Sequence, residues 1–144
     1  MSVAEYKKIL IPVDGSDASY RAFKEAVSIA KQNDSELIVL NVLDDFVRFG
    51  NPDASMRLYD DLRADALSVL ESYKAEAKEA GLENVTLEII KGDARYGIVE
   101  FANTAKADLV VVGATGKGAI ERAMMGSVSE YVVRNVKSHV LVIK

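Results

Sequence analysis

Five short apolar runs, separated by longer mixed segments, constrain this chain more than any other feature. Residues 7–13 (KKILIPV), 37–42 (LIVLNV), 85–90 (VTLEII), 109–112 (LVVV) and 139–143 (HVLVI) are rich in Val and Ile and bounded by turn residues or polar segments. That length and composition belong to strands. The first run is nearly continuous in apolar residues, as a strand covered on both faces should be, while the third alternates enough to suggest a partly exposed edge. Between the runs the period changes to that of a helix. Ala22, Phe23, Ala26, Val27 and Ala30 give one inner face, ending near Gln32. Tyr59, Leu62, Ala66, Leu70, Tyr73, Ala77 and Ala80 step by three and four, predicting a long helix over 55–80 with a core-facing stripe and a stop at Gly81. Ile98, Phe101, Ala102 and Ala105 predict a helix over 95–106, and Val128, Val132 and Val136 a last one. Strand and helix in strict alternation specify an α/β domain: a doubly wound parallel sheet with helices on both faces.

The 144 residues suit one domain, and no linker or low-complexity block divides 1–144. The absence of cysteine excludes disulfides and thiolate metal sites, as suits a reducing cytoplasm. No apolar run approaches the roughly 20 residues of a membrane span. The opening MSVAEYKK leads straight into a strand without a signal-peptide core. A net charge of −4 argues against a general nucleic-acid binder while leaving room for a local anion site.

The chemistry gathers after the fourth run. Gly113 and Gly116 follow it at once, and Gly126-Ser127 come after nine intervening residues, at the start of a helical pattern. Glycine past a strand lets backbone approach a ligand closely, and exposed amides there and at a helix start seat phosphate. Gly113-x2-Gly116-x9-Gly126-Ser127 therefore reads as two halves of a phosphate clamp. A Walker A loop is excluded, because Val111 stands where its first glycine belongs and Gly118 where Ser or Thr belongs. The dinucleotide fingerprint is excluded by glycine order and by position in the chain. Lys117 and Arg122 are the cations near the clamp. Each is a phosphate partner or a solvated loop residue, and Arg122 has Glu121 beside it as an alternative ion pair. Ser127 and Ser129 suit an N-cap that also binds phosphate.

These glycines after DLVVVG, with the opening KKILIPVDGS and the closing VLVIK, resemble the universal stress protein family, and more narrowly its nucleotide-binding branch. The resemblance spans nearly the whole chain. With right-handed crossovers it implies sheet order 3-2-1-4-5, which sets the Asp14 turn beside the Gly113 loop. It implies an ATP site with Pro12, Val13 and Asp14 after the first strand and Val42 at the adenine. Val112, Gly113, Gly116, Lys117, Arg122, Gly126, Ser127, Val128 and Ser129 would hold the phosphates. Mg2+, or Mn2+, would accompany the nucleotide, with Asp14 at the ribose or at the metal and the phosphate it bridges. A homodimer through the C-terminal strand is implied as well, while the net charge and the lack of a long apolar run lead us to expect neither nucleic acid nor membrane as partner. The family places proline where His139 stands.

Plainer readings accompany several of these residues. Asp14 suits a turn or helix cap, Val42 an ordinary core valine, and Tyr59 and Tyr73 the core stripe. Asp44 and Asp45 read as solvated loop residues, and Arg95 as a surface residue. His139, the sole histidine, has no histidine partner for a metal. The leading expectation is an ATP-binding stress-response regulator. A slow ATP hydrolase is an alternative with no evident general base, and a nucleotide-independent dimeric interaction protein is another.

Overall fold

The computed structural model describes residues 5–44, 52–115 and 125–144. Within them nine elements alternate: β1 (Lys8–Pro12), α1 (Asp17–Asn33), β2 (Glu36–Leu43), α2 (Pro52–Glu79), β3 (Val85–Lys91), α3 (Ala94–Thr104), β4 (Leu109–Gly113), α4 (Ser127–Asn135) and β5 (His139–Ile143). All strand pairs are parallel and the order is β3-β2-β1-β4-β5, as the family resemblance and right-handed crossovers imply.

Period-two alternation divides the strand residues between two cores. Ile9, Ile11, Leu37, Val39, Leu109 and Val111 pack under α1 and α2, around Phe23 and Leu70. Leu10, Ile38, Leu40, Val110 and Val112 face α3 and α4, meeting Ile98, Ala102 and Val132. The expected inner face of α1 is buried throughout.

Two helices depart from expectation. α2 starts at Pro52, since proline loses nothing at a first helical position, whose N–H has no intrahelical partner. Its stripe is core only in its C-terminal half. Leu70 and Ala77 are buried, Tyr59, Ala66 and Tyr73 are half-buried, and Leu62 and Ala80 are exposed. Length explains this: 28 residues of helix span about 42 Å at 1.5 Å each, against about 26 Å for the eight residues of β2. The end is as expected, with Gly81 left-handed at φ 99° and the Leu82 N–H bonded to the Ala77 carbonyl at 2.9 Å. α3 ends at Thr104 rather than 106, because Lys106 turns the chain with φ 57° and the Ala107 N–H closes on the Ala102 carbonyl at 3.0 Å. Among the described residues no helix is long and apolar enough to cross a membrane.

Candidate functional site

The topological switch lies between β1 and β4, where the sheet parts. Their ladder holds Ile9↔Leu109 and Leu10↔Val110. Beyond that, β1 follows β2 to Pro12↔Leu40, whereas β4 follows β5 to Gly113↔Ile143. The carboxyl ends of the two strands are thus tied to different neighbours, leaving the crevice in which open α/β sheets hold ligands.

On the β1 side, Val13 is buried and its main chain is occupied. Its N–H donates to the Leu40 carbonyl and its carbonyl accepts Asn41 Nδ2–H, both at 2.8 Å. Asn41 is a tie between strand ends that the sequence reading missed, although a lone amide in LIVLNV was a signal. Pro12 is half-buried beside it, and Asp14 is exposed at the mouth. The Asp14 carboxylate accepts the Ser16 N–H at 2.9 Å across Gly15, whose φ is 83°. The turn-forming reading of Asp14 is therefore realised. Ser16 caps α1 by accepting the Ser19 N–H at 3.1 Å. Burial first, and the charge of Asp14 second, push the Tyr73 phenol above its ordinary pKa. The Tyr20 phenol is raised chiefly by its hydrogen bond to Glu76.

On the β4 side, the two halves of the glycine pattern meet. The Gly126 N–H donates to the Ala114 carbonyl at 2.8 Å, and Ser129 Oγ–H to the Gly113 carbonyl at 2.6 Å. The expected serine cap is replaced. Gly126 is the N-cap, with no side-chain cap bond; Ser127 is the exposed first helical residue, and buried Ser129 is engaged with β4. A helix leaves its first amides without intrahelical acceptors, so the start of α4 presents donors and the positive end of its dipole. Val128 is half-buried against the second core, and the side chain of Val112 lies within that core, so only its main chain can meet a ligand.

Gly113 has a different reason from the one its position suggests. A Cβ there would stand 2.9 Å from the carbonyl carbon, oxygen and Cβ of Ala18, so glycine admits α1 against the end of β4. Gly116, Lys117, Gly118, Glu121 and Arg122, and likewise Asp45, lie outside the described residues. Val42 is half-buried at the end of β2, and a Cβ on Gly97 would lie 3.5 Å from its Cγ1. Asp93 caps α3, and its pKa is lowered chiefly by the hydrogen bond from Arg95, with which it pairs at 3.3 Å. His139 Nδ1 lies 3.0 Å from the Tyr6 hydroxyl, at the opposite end of the strands. Among the described residues no group of three or more His, Cys, Asp or Glu could hold a metal unaided.

Known proteins share this architecture. The universal stress protein family model matches residues 5–144. A universal stress protein of Methanocaldococcus jannaschii is 42% identical over 141 residues, covering 96% of this chain and 82% of the relative. The solved universal stress protein UspA from Lactobacillus plantarum is similar at a TM-score of 0.88 and 34% identity, covering 99% of this chain and 100% of that one. A universal stress protein solved in complex with cAMP has a TM-score of 0.72 and 29% identity, covering 98% of each chain. With this fold and a match over all but the first four residues, the chain belongs to the universal stress protein family.

Proposed function

We propose that this protein binds an adenine nucleotide, ATP in the leading case, in the crevice between the ends of β1 and β4. It would act as a nucleotide-dependent regulator in the stress response, as a cytoplasmic homodimer. One observation carries the reading: Gly113-Ala114 and Gly126–Ser129, apart in sequence, are bonded together at the mouth of the crevice, with the start of α4 in front. That arrangement supplies main-chain donors for phosphate. The relative holding cAMP supports adenine as the base. Val42 would line the base pocket, and Gly116, Lys117, Arg122 and Ser127 would complete the phosphate seat. Asp14 is exposed and offers a carboxylate, which suits Mg2+ or Mn2+ held mainly by phosphates with one or two carboxylates.

The test is direct. ATP with magnesium at 100 times its dissociation constant should stabilise the fold by about 2.7 kcal/mol. Identifying the small molecule released when fresh protein is denatured names the physiological nucleotide, and phosphate release tells a holder from a hydrolase. No melting shift at millimolar ATP, with no retained nucleotide, sinks the reading.

A further inference from the structure

The main chain of β2 turns alternately to its two neighbours. The Glu36 N–H donates to the Lys7 carbonyl on the β1 side, and the Leu37 N–H to the Asn84 carbonyl on the β3 side, both at 2.9 Å. Even residues of β2 therefore direct N–H and carbonyl toward β1, and odd residues toward β3. The phase holds to the end of the strand. The Leu40 carbonyl accepts the Val13 N–H, and the Leu43 carbonyl the Gly92 N–H, each at 2.8 Å. Val42, the last even residue, thus aims both main-chain groups at the line of β1. Its side chain packs against the second core, so that direction is fixed.

The next rung of the ladder would join the Val42 N–H to the Val13 carbonyl. Among the described residues that rung is not made. The Val13 carbonyl accepts Asn41 Nδ2–H instead, at 2.8 Å. A side chain has taken the place of the main-chain donor, and Val42 is left facing the space past the end of β1. That space is the β2 side of the crevice. β1 is released on its other side as well. Its even residues face β4, since the Lys8 carbonyl accepts the Asp108 N–H at 2.8 Å, and Pro12 has no N–H with which to extend that ladder.

We infer that Asn41 is a positioning residue of the crevice. By holding the Val13 carbonyl it keeps the Val42 N–H and carbonyl unpaired, as a donor and an acceptor side by side for the edge of a base. An adenine edge answers with a ring-nitrogen acceptor beside an amino donor. This role rests on the nucleotide reading above and adds to it a residue that touches no ligand.

The test begins in the apo protein by amide hydrogen exchange. Val42 should exchange at least about tenfold faster than Leu40, which lies within the ladder with β1. Asn41→Leu, of similar shape and without a donor, should release the Val13 carbonyl to the Val42 N–H and slow exchange at Val42. Asn41→Ala should do the same. A residue that merely braced the strand ends would act in the opposite sense when lost, speeding exchange there. Asn41→Leu should also bind ATP at least about tenfold more weakly, a difference of about 1.4 kcal/mol, while its affinity for inorganic tripolyphosphate stays within about twofold. Protection of Val42 equal to that of Leu40 in the wild-type apo protein overturns the inference. So does faster exchange at Val42 in the variants, undiminished ATP affinity, or an equal loss for both ligands. If the wild type binds no ATP, the crevice reading fails by itself, and exchange at Val42 still decides whether Asn41 holds that edge open.

Discussion

Gly113 and Gly126 border one crevice for different physical reasons. Gly113 is held by packing, since any Cβ meets the Ala18 backbone at 2.9 Å. Gly113→Val should lower apo stability by at least about 1–3 kcal/mol, the usual range for overpacking, in a urea titration without ligand. Gly126 has φ −64° and ψ 156°, a conformation open to any residue. Gly126→Val should therefore keep the fold, losing no more than about 1 kcal/mol of apo stability for a poorer N-cap, and reduce ATP affinity at least about tenfold, or roughly 1.4 kcal/mol. A folded variant with undiminished affinity removes Gly126 from the site. The glycine spacing was visible in the sequence, but the reason for Gly113 was not, because it is imposed by a helix remote along the chain. Asp93 offers a test by pH. Its folded pKa lies below the ordinary value, so its contribution is present above the unfolded pKa and lost as pH falls through the folded one. Asp93→Asn keeps a capping side chain and removes the charge. The stability difference between wild type and variant should shrink on acidification below the usual carboxylate range, and added salt should reduce it. A difference that does not change with pH refutes the assignment.

Elements were more legible than their ends. Apolar runs with Val and Ile located all five strands, because a sheet covered on both faces admits little else. Helix stops were found where chemistry marks them, as at Gly81, and missed where a non-glycine residue takes the left-handed turn, as at Lys106. The cap of α4 was misplaced because its serines look like caps by type, while Ser129 is committed to the Gly113 carbonyl. α2 shows what periodicity omits. An apolar stripe states which face would turn inward, not whether a sheet lies beneath it. Leu70→Ala should cost about 2–5 kcal/mol, the range for a buried leucine. Leu62→Ala, at a side chain 39% exposed, should change stability by no more than about 0.5 kcal/mol. Denaturant midpoints of the two variants decide it, and equal losses would place the whole stripe in the core.

At the scale of the molecule, β5 is an edge with a defined outward register. Ile143 gives its carbonyl to the Ala114 N–H, so alternation points the main-chain groups of Val140 and Val142 away from β4. The proposed dimer would use those groups, and an isologous contact would close about a two-fold axis. Proline at Val140 or Val142 should weaken association in concentration-dependent light scattering, whereas proline at Leu141 should disturb the β4 ladder and the monomer fold. A wild-type mass that stays monomeric at every concentration removes the dimer. The parted ladder between β1 and β4 bears on kinetics. β1 to β3 are continuous in sequence, as are β4 and β5, so the Leu10–Val110 pairing must close the longest loop in the sheet. A nucleotide lying across that seam would act as a staple between segments that assemble separately. Its contacts require both sides in place, so they are absent from early structure. Ligand at 100 times its dissociation constant should then slow unfolding about a hundredfold and leave the refolding rate nearly unchanged.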